Sequence, residues 1–197
     1  MLVALATPFS HKLHLKLGLD CAKCHASALT STKAADNNLP QADTACKACH
    51  PDGRQIKLPR QTLVTKFNHQ LHLKLGNPAP VILAAIRNKT YFGPVTPELE
   101  SGLAAAVASG NACTACHRGL TTNEQTDARV FPQMADCLVC HNKIDAPFSC
   151  EKCHDPGPHL KPASHTADFL DKHSSQQVAK TGCAICHGRR FTCQGCH

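Results

Sequence analysis

The sequence predicts a chain of loops and a few short α-helices, with little or no β-sheet, cored by a bound cofactor and not by side chains. Three observations predict it. The 197 residues include no Trp, one Tyr (Tyr91) and seven Phe, so few large side chains are available to fill an interior. All fourteen cysteines fall in seven Cys-x-x-Cys-His motifs, which leaves none over. The segments between motifs carry helix caps and stops at close intervals.

The motifs are Cys21, Cys24 and His25; Cys46, Cys49 and His50; Cys113, Cys116 and His117; Cys137, Cys140 and His141; Cys150, Cys153 and His154; Cys183, Cys186 and His187; and Cys193, Cys196 and His197. Each is the attachment signature of a c-type haem, in which two thiols bond covalently to the porphyrin and the following histidine becomes an axial iron ligand. A zinc site needs paired Cys-x-x-Cys units or distant His pairs, with no reason for His directly after the second Cys. A disulfide framework explains an even cysteine number but not the trailing histidines. With His at about 7% of residues, a His after all seven motifs has a chance probability on the order of 10⁻⁸. Seven covalently bound haems in 197 residues means one per 28, so porphyrin faces take the place of large side chains and the chain folds once haem is attached.

Seven histidines remain outside the motifs: His11, His14, His69, His72, His159, His165 and His173. They equal the sixth ligands that seven irons need, so bis-histidine ligation is open to every site. Met134 is the only internal methionine, which limits His/Met ligation to one haem. Methionine raises the reduction potential, so a low-potential set is expected. His159, in a loop between Pro158 and Lys161, is the weakest of the seven candidates.

Residues 9–18, FSHKLHLKLG, recur at 67–76 as FNHQLHLKLG. Ser10 and Asn68 are good N-caps, and Gly18 and Gly76 stand where a helix-ending glycine belongs. Each copy reads as a two-turn helix with its two histidines, at i and i+3, on one side. So short a helix is unstable alone, and ligation with porphyrin packing must hold it.

This Phe-x-His-x-x-His element ahead of Cys-x-x-Cys-His resembles the class III cytochromes c, small multihaem electron carriers. The resemblance covers residues 9–50. It implies that His11 serves the Cys21–Cys24 haem and His14 a later one, and by the repeat that His69 serves the Cys113–Cys116 haem. The second copy departs from the pattern, because residues 77–112 intervene before its motif. The closely spaced motifs at 183–187 and 193–197 resemble the paired segments of multihaem respiratory cytochromes. Taken together, the chain resembles a heptahaem c-type cytochrome. An N-terminal two-haem module over 1–62 and a five-haem module over 63–197 are expected, or else one continuous haem-packed domain.

Three further elements are expected. Val81–Ile86 and Tyr91–Val95 around Asn88-Lys89-Thr90 read as a short hairpin. Thr96-Pro97-Glu98 opens a helix through Ser109, stopped by Gly110. Ser164 begins a helix running to about Lys180, with His165, Phe169 and His173 along one face and the two histidines about 12 Å apart. Asn88-x-Thr90 matches a glycosylation sequon, which carries little weight if the protein is bacterial.

The net charge of +7 suggests nucleic acid or anionic membrane at first sight. Each haem brings two propionates, roughly −1 net when oxidised, and seven of them offset the excess. No nucleic-acid partner is therefore expected. Residues 1–100 hold 12 basic and 6 acidic side chains, so a steering patch for a partner belongs in that half. The apolar runs Val81–Ile86 and Leu103–Ala108 are too short to span a bilayer. Covalent haem attachment places the chain in the periplasm or outside the cell, with Leu2–Ala6 as the tail of a clipped signal.

These observations predict an electron carrier relaying single electrons between redox partner proteins: a quinol-oxidising membrane complex, a terminal reductase or an outer-membrane conduit. Two alternatives stand beside it. One is a reductase with an open haem, although ligand supply equals demand and no motif replaces its His. The other is a homo-oligomeric filament in which His11 or His14 is lent to the next subunit.

Overall fold

The computed structural model describes residues 9–40, 42–51, 64–124, 126, 130–141, 150–157, 160–161 and 165–172. Short helices joined by loops make up this part of the chain. No strand occurs among the described residues, and one isolated antiparallel bridge pairs Val64 with His154.

The repeated element forms helix α1, His11–Lys16, and helix α3, His69–Lys74. Ser10 Oγ accepts from Leu13 N at 3.3 Å, and Asn68 Oδ1 accepts from Leu71 N at 2.8 Å. Each cap satisfies one of the orphan donors of a helix N-terminus. Gly18 and Gly76 follow with φ of +77° and +83°. Open space surrounds the position a Cβ would take at both glycines, so the demand there is on the backbone alone. Gly76→Ala is expected to cost about 1–2 kcal/mol, measured as a shift in the unfolding midpoint of the haem-loaded protein.

Helix α2, Cys21–Cys24, is a single turn capped by Asp20 and followed by a 3₁₀ turn, Ala26–Leu29. A π turn spans Ala42–Cys46. Helix α4, Ala79–Arg87, helix α5, Pro97–Ser109, and helix α6, Ala112–Cys116, then pack together. Beyond them come helix α7, Met134–Leu138, a 3₁₀ turn at Cys150–Lys152, and helix α8, Phe169–Lys172.

The hairpin expected around Asn88 is replaced by α4. Asn77 Oδ1 accepts from Ala79 N at 2.9 Å, and a proline stands in the helix's first turn, where its missing N–H costs nothing. Ala79, Ile82 and Ala85 then fall on one face, and all three are buried. That packing outweighs the strand preference of Val81 and Ile82. Lys89, at φ +55°, ends the helix where a hairpin turn was expected. Helix α5 has the predicted bounds: Thr96 Oγ1 accepts from Leu99 N, Glu98 and Glu100 occupy the positive end of the helix, and Gly110 closes it at φ +68°.

A small side-chain core sits where α4, α5 and α6 meet. Ala79, Ile82, Ala85, Tyr91, Leu103, Ala106, Ala115 and Ala135 form it, mostly small residues that allow close helix approach. Leu103 is the one large side chain fully buried among the described residues. The motif-free segment 77–111 therefore supplies this core, and helix α6 brings the Cys113–Cys116 motif directly onto it.

Candidate haem-binding site

In all five described motifs the histidine N–H bonds to the carbonyl of the first cysteine. The distances are 2.8 Å for His25, His50 and His117, and 2.9 Å for His141 and His154. This one-turn closure places two thiols and an imidazole on one short arc, the arrangement a covalently tethered, axially ligated porphyrin needs. The ten described cysteines form no disulfide. Among the described residues no group of three or more His, Cys, Asp or Glu side chains converges on one point, as a tetrahedral zinc site would demand.

The imidazoles instead come in facing pairs. His11 and His25 have ring centroids 6.1 Å apart and planes within 17°. His14 and His50 are 6.3 Å apart, and His72 and His141 are 6.2 Å apart. A metal between two imidazoles, bound at about 2.0–2.1 Å to each nitrogen, sets the ring centroids about 6.3 Å apart. Three pairs thus have the spacing of a doubly ligated iron, and each joins a repeat histidine to a motif histidine. The residues fit the group.

What surrounds these rings orients them. His14 Nδ1 meets the Ser10 carbonyl and His72 Nδ1 the Asn68 carbonyl, both at 2.8 Å. His25 Nδ1 meets the Asn38 carbonyl at 2.7 Å, and His117 Nδ1 meets that of Val130 at 3.1 Å. A carbonyl on Nδ1 assigns the proton there and leaves Nε2 as the ligating nitrogen. His11 Nδ1 bonds to Thr126 Oγ1 at 2.7 Å. Loop 31–39 is tied down to present the Asn38 carbonyl: Asn38 Nδ2 donates to Ser31 Oγ, and Asp36 Oδ2 accepts from the Thr32 and Lys33 amides.

Phe9 and Phe67 serve both histidines of their own element. Phe9 stacks on His14 at 4.5 Å and meets His11 edge-on at 4.8 Å. Phe67 repeats this with His72 at 4.4 Å and His69 at 4.7 Å. One aromatic ring therefore sets two ligand planes.

At His11, His69 and His117 burial favours the neutral imidazole, the form that binds metal. His11 is brought down to about 4, first by burial and then by the neighbouring His25, His14 and His117. His117 is lowered chiefly by burial, with His69 and His25 near enough to add to the effect. His69 is lowered by burial and then by His72. Its Nδ1 is buried and finds no hydrogen-bond partner among the described residues.

Neighbouring motifs touch. Asn111 Nδ2, at the cap of α6, approaches Cys21 Sγ at 3.7 Å. Arg118, directly after His117, pairs with Asp136, directly before Cys137, at 2.5 Å. Asp136 also accepts from Tyr91 Oη at 2.9 Å and from the Gln133 amide at 2.8 Å, and Arg118 Nη1 donates to the Ala115 carbonyl at 2.7 Å. Burial, then the Asp136 charge, pushes the Tyr91 hydroxyl upward. Asp136 is buried and accepts from three donors, and the Arg118 side chain is largely buried beside it, so removing one charge strands the other. Asp136→Asn is expected to cost about 3–5 kcal/mol, checked by thermal unfolding of the haem-loaded protein.

His165 differs from its predicted setting. The described helix there starts at Phe169, so His165 precedes α8 and does not open it. Thr166 Oγ1 bonds to Asp168 Oδ1, and Lys172 pairs with Asp168, which anchors the helix start four residues later than expected. His165 stacks on Phe169 at 4.4 Å and 9°. His159, His173, Cys183, Cys186, His187, Cys193, Cys196 and His197 lie outside the described residues, as does the predicted helix beyond Lys172.

The sequence reading left out the carbonyls of Ser10, Asn38, Asn68 and Val130 and the Arg118–Asp136–Tyr91 network. Backbone acceptors have no side-chain signature. The network did have one: opposite charges immediately flanking successive motifs.

No helix among the described residues is long and apolar enough to cross a membrane. No curated protein and no solved structure matches the chain. Residues 7–66 match the family model for cytochrome c7 and related cytochrome c, over the first histidine pair and the first two motifs, and this supports a multihaem c-type cytochrome.

Proposed function

We propose that this chain is an extracytoplasmic electron carrier that holds seven bis-histidine c-type haems and passes single electrons between protein partners. The observation that carries the reading is the set of three imidazole pairs at 6.1–6.3 Å, each built from one repeat histidine and one motif histidine. When bound, iron porphyrin supplies one-electron redox chemistry.

The chain's own residues do the positioning. His11 with His25, His14 with His50 and His72 with His141 would cap both faces of the first, second and fourth haems. His69 is the candidate for the third, opposite His117, and His159, His165 and His173 supply the remaining three. Carbonyl-held Nδ1 protons keep His14, His25, His72 and His117 each in one tautomer and orientation. Fixed imidazoles on both sides would leave neither redox state to gain or lose a ligand, so little reorganisation would accompany a change of charge.

His11 and His14 already face partners within their own chain, which favours the carrier over a filament that lends them out. Contacts from α1 to Glu124 and Thr126 support one continuous packed unit rather than separable modules. The family match favours a periplasmic setting. Redox partners would dock transiently over small areas.

Reductive titration of the purified protein, followed by carbon monoxide, tests the reading. Uptake of seven electrons per chain with a Soret band unmoved by carbon monoxide is the expected result. A carbon monoxide adduct would instead mark an open iron and a reductase.

A further inference from the structure

We infer that the motifs stand in space in the order second, first, third, fourth, fifth, so the first motif is the junction between the two repeat units. The inference rests on the carrier reading and adds the path that the reading leaves open.

Each link has its own contact. Helix α1 carries both His11 and His14, which face His25 and His50, so one two-turn helix holds the first and second motifs side by side. The first and third motifs meet where Asn111, the cap of α6 two residues before Cys113, approaches Cys21 Sγ at 3.7 Å. Further contacts brace this junction. His11 bonds to Thr126, Lys12 pairs with Glu124 at 2.5 Å, and Gln70 N of α3 donates to the Ser31 carbonyl at 2.9 Å.

Arg118 and Asp136 clamp the third motif to the fourth across a buried ion pair. The fifth motif docks on the chain entering α3: Thr65 N and Lys66 N donate to the Cys153 carbonyl at 3.0 and 3.2 Å, and Lys66 Nζ donates to the Glu151 carbonyl at 2.6 Å. That chain leads into Phe67, which stacks on His72, the partner of His141 in the fourth motif.

The order departs from the order along the chain, where the second motif precedes the third. Among the five described motifs it makes the second a terminus and the first a through-point. Within that set, removing the first motif would divide the row, whereas removing the second would shorten it.

Two-dimensional nuclear Overhauser spectroscopy of the fully reduced, diamagnetic protein tests this, with each haem assigned through its thioether contacts to labelled cysteine. Cross-peaks are expected between substituents of haems two and one, one and three, and three and four, with none between two and three. In a variant carrying Cys46→Ser and Cys49→Ser, the cross-peaks between one and three and between three and four should persist unchanged. A contact between haems two and three, or no contact between one and three, overturns the order. The number of haem spin systems judges the carrier reading separately: fewer than seven counts against that reading, while contacts among the first four still decide the order.

Discussion

Replacing both Cys113 and Cys116 with serine should remove one porphyrin from the protein mass and destabilise the remainder far more than the same change at Cys46 and Cys49. The third motif lies on α6, which packs against α4 and α5 in the small core. Ala115, between its two cysteines, is completely buried. His117 is half-buried, and its neighbour Arg118 belongs to the Asp136 network. Losing that haem empties a volume bordered by the only side-chain core described, and cavity formation in such a place falls in the rare class of at least about 4 kcal/mol. At the second motif Cys49 is exposed, and so are Lys47 and Ala48 beside it, so its loss should be absorbed locally. Intact mass and thermal unfolding of the two double variants, side by side, give the comparison. Equal destabilisation would mean that the core at α4, α5 and α6 does not organise the third site.

His72→Met should raise the reduction potential of one haem, on the order of 100 mV, and leave the others near their original values. His72 lies opposite His141 at 6.2 Å, so thioether sulfur would take the place of one imidazole nitrogen on the fourth iron. A redox titration would show one component separating to higher potential, with a charge-transfer band of His/Met ligation. His72→Ala in the same position should give a single high-spin haem that binds carbon monoxide. Since Phe67 stacks on His72, Phe67→Ala should loosen the ring plane and shift the same component by much less. A uniform shift of all components would show that His72 acts on overall structure and not on one iron.

Much of this was legible in the sequence because the decisive signals are local. A Cys-x-x-Cys-His turn closes within five residues, and all five described examples close by the same histidine-to-cysteine bond. The repeated helices could be read from Ser10, Asn68, Gly18 and Gly76, whose roles are set by cap chemistry and left-handed backbone. Helix α5 was likewise announced by Thr96-Pro97 and Gly110. The failures fall where a local preference met a tertiary demand. Val81 and Ile82 favour strand in isolation, but Asn77 and two prolines start a helix whose Ala79, Ile82 and Ala85 face is wanted by the core. At His165, a capping pattern was present one turn too early, and the Asp168 contacts delay the helix to Phe169.

Pairing of distal and proximal histidines illustrates the other limit. Counting seven against seven could show that ligands suffice, but not which ring faces which. That needed the orientation of α1 and α3, supplied by backbone carbonyls and by Phe9 and Phe67. With those in place the repeat gains a consistent sense, since His11 and His14 face the first and second motifs, and His72 faces the fourth. His69 opposite the third motif would complete the pattern.

The most direct test of the account is low-temperature electron paramagnetic resonance of the oxidised protein, integrated against its iron content. The account predicts that every iron contributes low-spin signal typical of two imidazole ligands, with no high-spin component. A high-spin fraction equal to one or more irons per chain would contradict it.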